Sequence, residues 1–296
     1  MQLFDLVRCR NEKAGFIALG FFDSIHLGHQ KVICKAVSLA KENGALSSVF
    51  LFRNNIYPLL GQQKEPLFSF EERVAEIEKL GVDRIFYIDA DISFLHLSAD
   101  EFISFLTERV ALNGVICGTD FTFGLDGKGK ASDLIEKVKG KNFAVDLLIS
   151  DGEKVSTTLV KEALLAGDLL KASRLLGRPY SVFGKVIGGR KDGKKIGFPT
   201  VNLDLSASPL KKGVYFTKTV VDGNVYRSVT NVGAHPTFGD YRENIETHIL
   251  DFDGNLYNAT VEIRFLAYER EIVKFDRAES LIAAITEDEK KRRVYD

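Results

Sequence analysis

The sequence predicts an α/β protein of two domains, a doubly wound parallel sheet followed by a small antiparallel β-barrel that closes with a helix. Three observations predict it. A chain of 296 residues is long for one core and divides naturally in two. Its first 150 residues or so alternate short apolar runs with segments of helical period, the pattern of parallel strands with helices on both faces. Beyond Tyr180 the pattern changes to β-rich runs separated by turn signals. The expected domains are therefore residues 1–180 and 181–296.

In order along the chain, "GFIALG" (Gly15 to Gly20) reads as a buried strand. Gly28 to Asn43 reads as a helix with Val32, Ile33, Ala36, Val37 and Ala40 on one face. "LSSVFLF" from Leu46 is the next strand. Ser69 precedes Glu72 at capping-box spacing and starts a helix that ends near Gly81. "DRIFYID" is a strand, and Ser98 with Glu101 repeats the box before a helix over Glu101 to Val110. "NGVICG", a helix near Ala131 to Lys139 and "FAVDLLI" continue the alternation. Ser156 to Gly177 reads as helical with a break at Gly167-Asp168, and "GRPY" (Gly177 to Tyr180) reads as a linker. The barrel strands are "YSVFGKVIGG", "GVYFTKTVV", "NVYRSVTNVG", "ETHILDF" and "ATVEIRFL", with turns such as Asp222-Gly223-Asn224 and Asp253-Gly254-Asn255. Asp276 to Arg293 reads as a closing amphipathic helix, with Asp276 and Glu279 at cap spacing and Leu281, Ile282 and Ile285 on one face.

Composition narrows the function. Forty Lys and Arg against 41 Asp and Glu give no overall attraction to nucleic acid or to an anionic membrane, so any anion site is local. The partners expected are small-molecule substrates, with neither nucleic acid nor membrane, and a homo-oligomer is left open. Cys9, Cys34 and Cys117 are odd in number and widely spaced, which fits neither a disulfide framework nor a zinc cage and does fit a reducing cytoplasm. The segment "MQLFDLVRCRNEK" is charged too early for a secretory signal, and no apolar run approaches the roughly 18 residues of a membrane span. A cytoplasmic location is the default expectation.

The chemistry concentrates in "GFFDSIHLGHQKVI" (Gly20 to Ile33). A strand, a tight turn and a helix starting near Gly28 put His26 and His29 at a helix N-terminus, where unpaired N–H groups and the dipole favour an anion. Two imidazoles there donate to phosphate, and the glycine lets a phosphate chain approach the backbone. The plainer alternative is that one histidine caps the helix and the other is surface. A metal reading is weaker, because neither a carboxylate nor a third histidine sits at ligand spacing nearby.

This stretch resembles the signature of the prokaryotic bifunctional riboflavin kinase/FMN adenylyltransferase family, the FAD synthetases, and the resemblance runs over essentially the whole chain. "GTDFTFG" (Gly118 to Gly124) is similar to the family's flavin and nucleotide loop. "VSTTLVKEALLAGDLLKASRLLGRPY" is similar to its Ser/Thr-rich phosphate turn and linker, and "GKVIGGRKDGKKIGFPTVNL" to the glycine-rich stretch of its kinase module. "GVY" at Gly213, "NVGAHPTFG" at Asn231 and "IETHILDF" at Ile245 complete the ordered series. The resemblance implies a nucleotidyltransferase-like first domain that adenylylates FMN to FAD and a kinase barrel that phosphorylates riboflavin to FMN, each using ATP, with Mg2+ as cofactor.

Carried over residue by residue, Glu246 is the base for the riboflavin hydroxyl. Thr200 and Asn202 hold Mg2+ and ATP phosphates, and Gly184, Gly193 and Gly197 with Lys194 and Lys195 form the phosphate loop. Alone, Glu246 reads as a surface strand carboxylate, and the two lysines as solvated loop charges. In the first domain, Gly20, Phe22, Asp23 and Gly28 with Ser156, Thr157, Thr158 and Lys161 match nucleotide and phosphate positions. His26 and His29 match the groups that stabilise developing charge. Asp120, Phe121, Phe123, Gly124 and, from the barrel, Arg270 match flavin positions; the two phenylalanines read equally well as core.

The departures lie mostly in the first domain. Ser24 stands where the family usually has glycine, Asn54, Asn55 and Ile56 stand where it has Pro-His-Pro, and Lys161 stands for an arginine, losing a bidentate fork. Glu271 directly after Arg270 is a small shift near the end. Three readings follow: a bifunctional enzyme, a chain with one dominant activity and a weakened adenylyltransferase half, and a flavin-responsive regulator without catalysis. The third has little use for Thr200, Asn202 and Glu246 together.

Overall fold

The computed structural model describes residues 1–188, 197–203, 209–235 and 240–296, in two compact units, Met1–Thr157 and Thr158–Asp296. The first contains strands β1 (Gln2–Asp5), β2 (Glu12–Ala18), β3 (Ser47–Phe52), β4 (Arg84–Ile88), β5 (Val110–Gly118), β6 (Thr122–Phe123), β7 (Gly129–Lys130), β8 (Phe143–Val145), β9 (Ile149–Ser150) and β10 (Glu153–Lys154). Its helices are α1 (Leu27–Glu42), α2 (Phe70–Lys79), α3 (Ile92–Leu95), α4 (Ala99–Arg109) and α5 (Ala131–Lys137). Six strands form one sheet in the order β1-β4-β3-β2-β5-β8, every neighbouring pair parallel. The pleat sorts its two cores. Phe16 and Ala18 of β2 pack with Ile33, Val37 and Ile77 beneath α1 and α2. Ile17 and its neighbour Leu19 pack with Phe102, Leu106 and Leu134 beneath α4 and α5. The doubly wound expectation holds.

Both predicted capping boxes form, Ser69 with Glu72 and Ser98 with Glu101. The structure corrects several bounds. The helix after Ser98 starts at Ala99 rather than Glu101, because a capping box needs its glutamate at the third helical position. The run "FAVDLLI" is not one strand: β8 stops at Val145, and β9 pairs antiparallel with β10 across a turn at Asp151 and Gly152, both with positive φ. The edge strand β1 was not expected. Its polar Gln2 and Asp5 hide an alternation that acquires meaning only beside β4.

The second unit holds α6 (Thr157–Ala166, its first residue closing the first unit), α7 (Leu169–Leu176), strands β11 (Tyr180–Ile187), β12 (Thr200–Leu203), β13 (Gly213–Val221), β14 (Asn224–His235), β15 (Asp240–Ile249) and β16 (Thr260–Arg270), and α8 (Ala278–Val294). The strands close a barrel in the order β11-β12-β15-β14-β13-β16, all pairs antiparallel. "GRPY" is not wholly a linker. Gly177 ends α7 at φ 72°, and Tyr180 is the first barrel residue, buried with its ring against Phe265.

The barrel's buried face is partly polar. The hydroxyls of Thr217, Thr219, Ser228, Thr230 and Thr247 are buried and satisfy one another at 2.8–2.9 Å. Helix α8 also departs from expectation. Its N-cap is Arg277, with no side-chain cap bond, so the Asp276–Glu279 box does not form. The residues it buries are Asp288 and Arg292, while Leu281, Ile282 and Ile285 are only half-buried. Asp288 receives the Arg270 guanidinium at 2.6 Å, and Arg292 donates to the Thr217 carbonyl at 2.9 Å, so one ion pair and one charged hydrogen bond to backbone, rather than a fully buried apolar stripe, dock the helix. None of the described helices is long and apolar enough to cross a membrane.

Candidate active sites

In the sheet unit the strand order reverses between β2 and β5: the chain runs outward from β2 through β3 and β4, then returns to place β5 on β2's other side. A crevice opens outside the carboxyl ends of strands at such a point. The loop carrying His26 leaves β2 there, and the loop carrying Asp120 leaves β5 beside it, with Leu19 N–H donating to the Ile116 carbonyl at 2.8 Å.

The loop after β2 is strained and tightly held. Phe22 and Ile25 are buried with φ of 37° and 47°, a conformation that costs a β-branched residue on the order of 1–3 kcal/mol. Asp23 accepts from Leu67 N–H at 2.7 Å and from the Tyr57 hydroxyl at 3.2 Å. Ser24 Oγ lies 2.9 Å from Thr157 Oγ1, and Gln30 donates to the Ile25 carbonyl at 2.9 Å. Gly20 is a glycine because a Cβ would stand 2.8 Å from the Phe22 ring.

His26 is the N-cap of α1. Its Nδ1 accepts from His29 N–H at 3.1 Å, so its proton sits on Nε2. The two imidazoles stack with centroids 3.6 Å apart, and the Phe22 ring meets His29 edge-on at 5.3 Å. Burial pushes the His26 pKa down to about 4, with the Lys154 charge adding to it. Burial, then His26, then Lys154 hold His29 well below its ordinary value. Both rings are therefore neutral at pH 7, donors through N–H rather than cations. His29 Nδ1 is buried without a hydrogen-bond partner among the described residues. Gly28 serves this stack first: a Cβ there would stand 3.0 Å from His26 Cε1.

The other candidates of residues 54–161 divide. Asp120 is exposed and pairs with Lys154. Phe121 is half-buried and stacks at 5.8 Å on Phe123, which is core, against Phe102 at 5.2 Å. Gly124 has φ 69° and a backbone at Ala99 where a side chain would go, which explains the glycine by packing. Ser156 and Thr157 are half-buried at the start of α6, Thr158 is exposed, and Lys161 lies one turn on, half-buried. The amides at the departures are engaged with protein. Asn54 exchanges hydrogen bonds with Ala90 at 2.7 and 2.9 Å. Asn55 donates to the Lys64 carbonyl and accepts from Tyr57 N–H, and Ile56 is buried. They shape the loop whose Tyr57 and Leu67 grip Asp23. Lys154 was missed by sequence reading, its only signal being a place two residues before Ser156.

In the barrel, strand register builds the site. β12, β15 and β14 are neighbours, and Asn202, Glu246 and Asn231 stand opposite one another across them, with Thr200 opposite His248. Period-2 alternation puts Thr200, Asn202, Asn244, Glu246, His248 and Asn231 on one face, opposite the buried hydroxyls. The Thr200 hydroxyl donates to Glu246 Oε1, and Asn244 Nδ2 donates to Asn202 Oδ1 at 3.1 Å. Asn231, which sequence reading quoted but gave no role, has its Nδ2 buried without a partner among the described residues. Arg270 is held in a two-pronged pair with Asp288. Gly184 faces the barrel interior, where a Cβ would press on Leu203 at 3.0 Å, so packing explains it. Gly197 has φ 89°, and a Cβ there would meet nothing within 4 Å among the described residues. Gly193, Lys194 and Lys195 lie outside the described residues.

Comparisons with known proteins cover most of the chain. The riboflavin kinase family matches residues 176–295 and the FAD synthetase family residues 9–159. The chain is 35% identical to the bifunctional riboflavin kinase/FMN adenylyltransferase of Bacillus subtilis, covering 94% of this chain and 92% of that one. For the Escherichia coli K12 protein of the same description the identity is 29%, over 94% and 92%. A crystal structure described as a macrolide-efflux protein from Streptococcus pneumoniae shares the fold with a TM-score of 0.88 at 28% identity, over 100% of this chain and 99% of that one.

Proposed function

We propose, from the premise that this chain belongs to the bacterial bifunctional riboflavin kinase/FMN adenylyltransferase family, that its two sites act in series around Glu246 and around the His26–His29 stack. The enzyme phosphorylates riboflavin to FMN with ATP in its C-terminal half and adenylylates FMN to FAD with a second ATP in its N-terminal half. Its substrates are small molecules, and its three free thiols support placing it in a reducing cytoplasm.

The observation that carries the assignment of residues is the convergence of a carboxylate, a hydroxyl and an amide oxygen on one face of neighbouring strands. The riboflavin nucleophile is a neutral alcohol, so a base helps by roughly 10²–10⁴-fold. Glu246 takes the proton of the ribityl 5′-hydroxyl as that oxygen bonds to the γ-phosphorus, and ADP leaves with the β,γ-bridging oxygen. Thr200 and Asn202 are hard, neutral oxygen donors and fit Mg2+ that already carries ATP phosphates. Bound there, the ion would neutralise charge on the transferring phosphoryl group. Gly197, at φ 89°, lets phosphate approach its backbone without meeting a Cβ, an assignment that Gly193 and Lys195 share by resemblance.

In the adenylyl step the nucleophile is an FMN phosphate oxygen, already anionic, so no proton is removed. It bonds to the α-phosphorus of ATP, and pyrophosphate leaves. Catalysis reduces to alignment and charge stabilisation. His26 Nε2–H is the donor for the charge that develops, His29 holds the ring by stacking, and the unpartnered His29 Nδ1 is a second polar atom for the nucleotide. Ser156 and Thr157 take further phosphate oxygens, and Thr158, Lys161, Gly20 and Gly28 are assigned to phosphate by resemblance alone. Asp120 and Phe121 face the flavin, Phe123 and Gly124 support that loop, and Arg270 serves the flavin in the kinase site only by leaving Asp288.

The test is incubation of the pure chain with riboflavin, ATP and Mg2+, followed by chromatography of riboflavin, FMN and FAD. Sequential appearance of FMN then FAD supports the reading. FMN without FAD would mean a kinase with a weakened adenylyltransferase, and neither product would mean a regulator.

A further inference from the structure

We infer that His248, braced by Glu289 of α8, is a positioning residue that fixes the direction of Thr200 in the kinase site, an inference that rests on the assignment of Thr200 above. Three remote segments meet at this ring. Nδ1 lies 2.7 Å from the Pro199 carbonyl oxygen, and Nε2 lies 2.6 Å from Glu289 Oε1. Phe198 presents its ring edge-on at 5.6 Å and 78°. The side chains of His248 and Glu289 are 12% and 20% exposed, so water competes weakly for the Nε2–Glu289 bond, which braces the ring against the more exposed Pro199 carbonyl.

The consequence follows from peptide planarity. A carbonyl oxygen only accepts, so Nδ1 donates to it, and Nε2 faces the Glu289 carboxyl group. The Pro199 carbonyl belongs to the same rigid unit as the Thr200 nitrogen. Holding that oxygen sets the plane from which Thr200 projects. Thr200 in turn donates to Glu246, two residues before His248 on β15, and stands opposite His248 in register. Helix α8 thus acts on the ATP–metal end of the site through one imidazole and need not touch a substrate.

The two amides of near-equal shape separate positioning from scaffolding. An asparagine at position 248 places its amide nitrogen where Nδ1 stands, whereas a glutamine reaches where Nε2 stands. In the full-length enzyme, His248→Gln is expected to raise the KM for ATP in FMN formation roughly fivefold to tenfold, the size of one lost oriented hydrogen bond. Conversion of supplied FMN to FAD stays unchanged. His248→Asn is expected to stay within about threefold of the parent KM, and Glu289→Gln to fall between, since its amide can still hydrogen-bond the ring. Equal losses in the two His248 variants, or a fall in kcat that tracks melting temperature with KM unmoved, would overturn the inference. Thr200→Val separates the layers. If it leaves the kinase intact, the assignment of Thr200 fails and this inference with it. If it abolishes the kinase while His248→Gln leaves the KM for ATP unmoved, only the positioning role fails.

Discussion

His26 shows how much one side chain does here. It caps α1 through Nδ1, stacks on His29 and keeps its proton on Nε2. Its pKa of about 4 in the folded chain, against 6.5 for an ordinary histidine, has a consequence for stability. The unfolded chain binds this proton first as pH falls, so the contribution of His26 is complete above pH 6.5 and is lost as pH falls through about 4. The loss is up to roughly 3 kcal/mol. His26→Asn keeps a good N-cap and should lose less stability between pH 7 and 4.5 than the parent, measured by urea midpoint at each pH. An equal loss would mean that His26 is not buried neutral. Glu246 gives the second prediction at this scale. Glu246→Gln keeps shape and removes the acceptor, so FMN formation should fall by roughly 10²-fold or more, while conversion of supplied FMN to FAD is retained. Equal loss of both activities, read by chromatography, would assign Glu246 a structural role.

Helix α1 and helix α8 show two ways in which an element serves a site. Helix α1 was legible: its apolar face is the buried face, and the histidines fall at its start. What the pattern did not carry was the reason for Gly28, whose missing Cβ leaves room for the His26 ring. Gly28→Ala should therefore help the helix by up to about 1 kcal/mol in propensity yet displace a stacked, buried imidazole that has nowhere to go. FAD formation is expected to drop by on the order of tenfold with FMN formation unchanged. A variant that is more stable and fully active would show that the His26 stack is not needed. Helix α8 was legible as a helix but not in its anchoring. Its half-buried leucine and isoleucines gave the period, and the partners of Asp288 and Arg292 come from β16 and β13.

For the whole molecule, the division into units sets where a kinase can be cut free. Leu169, Ala172, Leu175 and Leu176 of α7 are buried, and Tyr180 packs on Phe265. A fragment of residues 158–296 should therefore make FMN and melt cooperatively. One that starts at Ser181 loses those contacts and should be destabilised by several kcal/mol, since each buried leucine is worth about 2 kcal/mol. Differential scanning calorimetry and FMN formation on both fragments decide the matter, and equal behaviour would place the functional boundary at Tyr180.

The sequence by itself determined what depends on neighbours in the chain: the alternation of strands and helices, the caps at Ser69 and Ser98, the histidines at a helix start and the change of pattern near Tyr180. Period and capping act over a few residues and are written locally. The tertiary structure decided what depends on residues far apart. Burial made both imidazoles neutral, strand register set Thr200, Asn202, Glu246 and Asn231 on one face, and Asp23 was given to Tyr57 and Leu67. No local pattern carries such facts, because desolvation and cross-strand pairing are properties of what packs alongside, and β15, which brings Glu246 to β12, lies more than forty residues further along the chain.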